Sequence, residues 1–516
     1  MAATANAQLV DRNLAPNISN EGVAKTFAQQ IGAGRGTINT PDSSLYIIAR
    51  DPARAVRRGR QLFQRKFTVG QGLGPRTGDG TGDINSDLSV GAGLADSCAG
   101  CHGRPRGAAG FGGDVATRPD SRDAPHLFGL GLKEMLADEI TTELRTIKAQ
   151  TVDKAVRMGR RVSRVLTTSQ TKGAVNYGTI IANPDGSVDT SQVVGVNADL
   201  RVRPFFAHGG TISIREFAVG AFNAEMGLEA ADPDLLAARG GARVVTPAGM
   251  VLDGASDQIE GPPASSPADD PDGDGKVNEI PTSIVDFMEF YLLNYFKAGN
   301  NFDGLSHDAQ DGRNQMSNLG CTTCHVATMT IERDRRVADF ETVFDATRGN
   351  PFNRLFATAT TLFTVSDDHS GLPTLKRPAQ GRFEVKNIYT DFKRHDLGPN
   401  FYERNYDGTT QKQFLTTPLW GVGTSAPYGH DGRSPSLTDV ILRHGGEAQA
   451  ARDRFNCAGT TVQRNVLLYL ATLILFPPDD TASTLQPITP TATGYPQFGH
   501  GALRLSTLFN SPADPE

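Results

Sequence analysis

The chain has 516 residues, with 51 Lys and Arg against 57 Asp and Glu, a formal net charge of −6, and 38% hydrophobic and 21% charged residues. That length can bury a substantial core in two to four units, and the composition is globular rather than disordered. The slightly negative balance offers no basic field, which argues against nucleic acid as a partner. No apolar run is long enough to span a bilayer: the longest, 284–296 and 466–476, read as buried amphipathic helices.

In chain order, residues 1–45 are polar and punctuated and are expected to form an arm over the body. The pattern RAVRRGRQLFQRKF places Ala55, Leu62 and Phe63 on one face of a basic helix. A glycine-rich stretch, 70–93, leads into Cys98-Ala99-Gly100-Cys101-His102, and 107–113 reads as a loop. From residue 125 a helix is expected, with Leu127, Leu130, Leu132, Met135 and Leu136 at helical spacing. A charged segment over 140–165 follows, then strand character near 175–203. Residues 211–228 read as a helix with Ile214, Phe217, Ala221 and Phe222 inward. The Pro, Gly, Asp and Ala-rich stretch 230–281 marks an insertion or linker. The second half opens with an amphipathic helix over 282–297 and a second motif, Cys321-Thr322-Thr323-Cys324-His325. Mixed strands and loops follow over 330–395, helices over 436–476, and a proline-rich tail.

Both halves present helix, Cys-x-x-Cys-His, then further helices, a coarse repeat. The expected fold is mainly α: two fused cytochrome c-like haem domains with long loops and a few short strands. The expected boundaries are an arm at 1–45, an N-terminal haem domain at 46–233, an insertion or linker at 234–281, a C-terminal haem domain at 282–480 and a tail at 481–516.

Four of the five cysteines lie in the two motifs, leaving Cys457 apart, which is not a disulfide framework. Two thiols three positions apart reach the two vinyl groups on one haem edge, and the adjacent histidine turns onto the iron. No other Cys-x-x-Cys pair exists to complete a four-thiolate zinc site. Two covalently attached haem c groups are therefore expected, held by Cys98, Cys101 and His102, and by Cys321, Cys324 and His325. Covalent attachment normally follows export, so a periplasmic or secreted protein is expected. The first residues, MAATANAQ, lack a charged and an apolar region, so the expectation is a form whose signal has been removed.

The stretch TPLWGVGTSAPYGHDGRSPSLTDVILRHGGEA, residues 417–448, resembles the C-terminal signature of the bacterial di-haem cytochrome c peroxidase superfamily, which includes the methylamine-utilisation enzymes, the di-haem oxidoreductases and the rubber oxygenases. In the peroxidases the residue fourteen positions after the HDG histidine is the distal ligand of the C-terminal haem. Counting from His430 reaches His444, which implies a bis-histidine iron; the alternative is a helix-surface histidine before Gly445-Gly446. SCAGCHGRPRGAAGFGG and RDAPHLFGLGL resemble the N-terminal haem loop and its following turn. Resting peroxidases carry a capping histidine between those elements, whereas residues 103–124 contain none. The resemblance thus implies an open N-terminal iron, with His126 as the one nearby histidine that could close it.

RPFFAHGGTISIREFAVGAFNAEMGLE resembles the segment bearing the catalytic glutamate of the peroxidases, which places an acid–base role on Glu225. An ordinary helix-terminal glutamate is the alternative. Phe217 and Phe222 are then core residues, the wall of the distal pocket, or both. The relay tryptophan that peroxidases hold between their haems has no counterpart; the sole tryptophan is Trp420, and the matching region shows Phe205 and Phe206. RGRQLFQRKF, LLNYFKAG and YTDFKRHDLG are similar to the di-haem oxidoreductase and rubber-oxygenase branch.

Asp270, Asp272 and Asp274, followed by Gly275, fit the first half of a calcium loop, but position twelve is Pro281, so Asn278 or Glu279 has to complete the shell. The other reading is a solvated acidic linker. The leading expectation is an exported di-haem oxidoreductase, using peroxide or dioxygen at the N-terminal haem with an organic substrate or electron-donor protein as partner. A polyisoprene-cleaving dioxygenase and a plain electron carrier are the alternatives.

Overall fold

In the computed structural model, the described residues are 26–74, 95–102, 123–294, 305–336, 338–344, 355–361, 364–367, 373–376, 381–405, 408–473 and 501–503. Most of the expected arm and tail and the glycine-rich stretch after residue 74 lie outside them. Among the described residues the fold is mainly α, with short strands in two- and three-stranded ribbons and no barrel.

The helices begin where the sequence supplies caps. Thr26 and Gln29 form a capping box at Phe27–Ile31, Ser43 caps Ser44–Arg50, and Asp51 with Pro52 starts Pro52–Gln64. Ala55, Leu62 and Phe63 of that last helix are buried as expected, yet so is Arg58, whose guanidinium lies 5.0 Å from the centre of the Phe287 ring and bonds Asp42. Gly59 permits a close crossing: a Cβ there would lie 2.4 Å from the Phe287 carbonyl oxygen.

Phe287 belongs to helix Thr282–Asn294, which the sequence led us to read as amphipathic. Every residue from Ser283 to Asn294 is buried. Its acidic residues do not face water. Asp286 and Glu289 bind Arg215 at 2.9 and 2.8 Å, and Asp232 binds the same guanidinium at 2.6 Å, all within the core. A buried cation ringed by carboxylates satisfies its donors and explains charged letters on a helix with no wet face. The helix packs on Pro52–Gln64, on Ile214–Met226 and on Leu130–Met158, whose Gly131 would place a Cβ 2.0 Å from the Leu293 carbonyl oxygen. It therefore joins the first hydrophobic core, which gathers residues from both halves of the chain, from Ile47 to Trp420.

Helix Leu130–Met158 starts five residues later than its apolar spacing suggested, because 124–127 is extended and Gly129 turns the chain at φ +76°. An antiparallel meander follows: Val162–Thr167, Asn176–Ala182 and Val188–Val193. The stretch read as a linker is built into the core through helix Pro233–Arg239 and the hairpin Arg243–Val245 with Val251–Asp253, burying Leu235, Ala238, Met250 and Leu252. A second core gathers Met316, Leu319, Tyr389, Phe455, Val466 and Tyr469 around helices His307–Asn318 and Thr460–Ala471. Of the tail, Gly501–Leu503 is described, as a strand parallel to Leu355–Thr361.

Arg215→Leu leaves Asp232, Asp286 and Glu289 buried around an apolar side chain. Urea unfolding is expected to show a loss of about 3–5 kcal/mol relative to wild type, whereas a loss under about 1 kcal/mol would mean that the carboxylates relax to water.

Candidate functional site

Both Cys-x-x-Cys-His motifs form single helical turns. The first is helix Cys98–His102, entered through Ser97, whose hydroxyl accepts the Gly100 N–H at 3.1 Å, while Asp96 pairs with Lys66 at 2.5 Å. The second begins at Gly320, φ +85°, with the turn Cys321–Thr323. Burial pushes the Cys98 thiol up to about 12 and raises that of Cys321, which holds both sulfurs protonated.

The two motif histidines are anchored alike. His102 Nδ1 donates to the Pro125 carbonyl oxygen at 2.6 Å, and His325 Nδ1 to that of Tyr389 at 3.0 Å. Each bond leaves Nε2 unprotonated and aimed away from the anchor, the tautomer that a metal-ligating histidine requires. Burial pushes both rings below their ordinary value, so both are neutral at pH 7. The donor set therefore fits haem c at each motif: two thiols and one oriented neutral imidazole.

His444 ends helix Leu437–Arg443. Its Nδ1 donates to the Val440 carbonyl oxygen at 2.7 Å, and Phe401 meets the ring edge-on at 5.3 Å. Burial, with the fields of His325 and Arg443, pushes it down to about 4. His444 is thus neutral and fixed in the tautomer that leaves Nε2 available.

His126 is arranged otherwise. It follows Pro125, whose carbonyl anchors His102. Its own Nε2 bonds the Trp420 carbonyl oxygen at 3.1 Å, and its Nδ1 is buried without a hydrogen-bond partner. Residues 103–122, on which the expectation of an uncapped iron partly rests, lie outside the described residues.

The turn carrying Pro125 is clamped to the C-terminal signature. Asp123 N–H donates to the His430 carbonyl oxygen at 2.9 Å, and a Cβ on Gly129 would lie 2.7 Å from the Trp420 ring. Leu419 N–H in turn donates to the Ile388 carbonyl oxygen, next to Tyr389. Asn387, Tyr389 and Phe392 all have positive φ, 53–58°, so this loop is bent into the left-handed region to aim the Tyr389 carbonyl.

Glu225 is half-buried in the last turn of helix Ile214–Met226, and Phe217 and Phe222 lie on the same helix in different surroundings. Phe217 joins Phe205 and Phe206, with ring centres at 5.8 and 5.3 Å. Phe222 is 2% exposed and packs edge-on against Phe67 at 5.9 Å. Sequence reading passed over Lys133, whose ammonium lies 5.5 Å from the Phe205 ring centre and within the field of His126; burial pushes it down to about 8. It also passed over His395, which bridges Asp391 and Glu447 at 2.8 Å each, in one cluster with the Cys324 sulfur. Burial alone would lower His395, but Asp391 and Cys324 push it up to about 11, so it is a cation at pH 7. The HDLG and HGGEA strings hold His395 and Glu447 fifty-two positions apart, with nothing local to pair them.

Asp270, Asp272 and Asp274 lie together on an exposed loop with Glu229 and Glu279 beside them. Burial pushes Glu279 up to about 7, helped by Asp272 and Asp274.

Residues 352–473 match the sequence model of a family described as "Di-haem oxidoreductase, putative peroxidase". That segment holds Tyr389, His395, Trp420, His430 and His444, and this part of the chain is similar to di-haem oxidoreductases. No curated protein matches the chain. Among solved structures, hydrazine synthase of Kuenenia stuttgartiensis, pressurised with 20 bar xenon, aligns at 14% identity over 37% of this chain and 55% of that one, with a TM-score of 0.22. The chain thus spans about half the length of that structure.

Burial and neighbouring Asp431 push Asp123 up to about 7 from an ordinary value of 3.8. The folded state then holds a proton that the unfolded chain releases, so this contribution to stability is present below pH 4 and is lost as pH rises through about 7. Asp123→Asn keeps the neutral form at every pH. Urea unfolding is expected to show a gain of about 1 kcal/mol at pH 8, reduced by screening of a half-exposed group, and no gain at pH 3.5. An equal gain at both would place its origin elsewhere.

Proposed function

We propose that this protein is an exported c-type di-haem oxidoreductase that activates peroxide or dioxygen at the site of His102, and that His325 and His444 would both hold the second iron. The observation that carries this reading is the difference between the two histidine sets. His444, at the end of helix Leu437–Arg443, has its Nδ1 engaged and its Nε2 available. His126, next in the chain to the Pro125 anchor of His102, has its Nε2 engaged by the Trp420 carbonyl oxygen. A haem bound at each site supplies redox chemistry: an iron with an open position reacts with peroxide or dioxygen, and one closed by two imidazoles exchanges electrons.

The chain's own residues have defined tasks. Cys98, Cys101, Cys321 and Cys324 would hold the two haems through thioether links. The Pro125 and Tyr389 carbonyls fix the tautomers of His102 and His325. Glu225, at a helix end on the N-terminal side, would serve as the acid–base group that holds and returns a proton. The backs of the two ligating rings are joined by a bonded route: Pro125–His126, across to Trp420–Leu419, across to Ile388–Tyr389. That route supports electron exchange between the sites without a side-chain radical on an intervening tryptophan. No helix among the described residues is long and apolar enough to cross a membrane.

The Phe205, Phe206 and Phe217 rings, capped by Lys133, favour a second reading in which the oxidant is dioxygen and the substrate an apolar chain such as polyisoprene. Cleavage of polyisoprene without added peroxide or reductant separates the two.

EPR of the oxidised protein is expected to show one high-spin and one low-spin iron. His444→Ala should convert the low-spin signal to high-spin, and His126→Ala should leave both unchanged. Two low-spin irons indifferent to peroxide would leave only an electron carrier. Glu225→Gln is expected to lower peroxide turnover by roughly 100-fold or more with unaltered spectra; unchanged turnover removes Glu225 from the chemistry.

A further inference from the structure

The acidic loop read from sequence as half of a calcium site acquires its missing half from elsewhere in the fold. Asp270, Asp272 and Asp274 occupy alternate positions, and Gly275, φ +83°, makes the sharp turn. Beneath them lies Glu279, five residues on and 5% exposed. Its Oε2 accepts the Glu229 N–H at 2.7 Å, while its Oε1 is buried and has no hydrogen-bond partner. Carboxylate oxygens of Asp272, Asp274 and Glu279 lie within 4.8 Å of one another, and so do those of Glu229, Asp270 and Asp272. Gly72, φ +99°, closes the far side: a Cβ there would fall 2.1 Å from Glu279 Oε1.

An acidic cluster on a surface loop is common and needs no ion. A buried carboxylate that belongs to that cluster and has one oxygen without a donor is a different matter. Leaving such an oxygen desolvated costs on the order of 1–3 kcal/mol, and the neighbouring carboxylates of Asp272, Asp274 and Glu229 raise the cost further. A divalent cation removes both penalties at once. We propose that Asp270, Asp272, Asp274, Glu279 and Glu229 bind one calcium ion.

The choice of metal follows from the donors. All are oxygens, which excludes the zinc and copper preference for nitrogen and sulfur. They come from two stretches of chain, residue 229 and the loop 270–279, which suits the loose six- to eight-fold shell of calcium better than the strict octahedron of magnesium. The ion joins the loop to residues 229–232, where Ile280 N–H already donates to the Glu229 carbonyl oxygen at 3.1 Å and Ala230 bridges Ile280. That segment leaves the helix end carrying Glu225 and supplies Asp232 to Arg215. Calcium thus pins the linker across the exit of helix Ile214–Met226.

The test is calorimetric titration of the full-length holoprotein with calcium after dialysis against a chelator. One equivalent is expected to bind with a dissociation constant of about 10⁻⁷–10⁻⁴ M, with magnesium at least about tenfold weaker. Glu279→Gln and Asp274→Asn should each weaken binding by about tenfold or more, while Asp185→Asn, in a distant hairpin turn, should not. Asp274 is exposed, so its variant tests the site even where Glu279→Gln fails to fold. Calcium should also raise the melting temperature and slow amide exchange at 229–232. No binding at about 10 mM calcium, or binding unaltered in Asp274→Asn, overturns the proposal. Neither outcome depends on haem content, so failure here leaves the redox reading untouched.

Discussion

Two backbone carbonyls govern the geometry of the redox site. A free imidazole can present either nitrogen, and a thioether-linked motif alone does not decide which. Pro125 and Tyr389 decide it by accepting the Nδ1 protons of His102 and His325. An acceptor of this kind works only if the carbonyl is held still. Pro125 is fixed by its ring and by the clamp of Asp123 and His126 on the C-terminal signature. Tyr389 is fixed by a loop with three non-glycine residues at positive φ, and by its ring, which packs edge-on against Tyr469. Because the two anchors are held by adjacent residues of one segment, Trp420 and Leu419, a shift in either would be passed to the other.

That mutual support needs a frame, and helix Thr282–Asn294 provides it. Five helices of the N-terminal half pack around it, two through glycines that bring backbones into contact. Its charges are neutralised internally by Arg215, an arrangement that contributes less to stability than to alternatives foreclosed: a buried cation accepts only one constellation of carboxylates. The same network reaches Asp232, two residues beyond Ala230, so the frame, the Glu225 helix and the acidic loop share one chain of contacts.

Much of this was legible in sequence wherever the information is local. The motifs, the caps and the apolar spacing of 52–66 and 211–228 are short-range patterns. Misreadings arose where a residue's partner is remote. The acidic letters of 282–294 looked like a wet face because Arg215 is about seventy positions away. The Pro, Gly and Asp content of 230–281 looked like a linker because its few apolar residues, Leu235, Ala238, Met250 and Leu252, dock onto a core built by other segments. The late start of helix Leu130–Met158 had the same cause: residues 124–127 have the composition of a helix, but their carbonyls are required by a histidine twenty-three positions earlier. Lys133 and His395 were invisible because one is an ordinary helix lysine and the other an ordinary loop histidine until their neighbours arrive.

The two motifs are alike in their residues and in their anchors, so on the proposed reading any difference in duty comes from what surrounds each. For His325 that reading supplies a second imidazole, the neutral and oriented His444 at the end of helix Leu437–Arg443. On the N-terminal side the structure offers His126 with its Nε2 engaged, a lysine brought down to about 8, a cluster of three phenylalanine rings, and Glu225 at a helix end. An apolar wall lowers the local dielectric and so strengthens whatever charge or proton donor remains within it. On the proposed function, Lys133 and Glu225 are the groups through which such a site would distinguish a polar oxidant from an oily substrate.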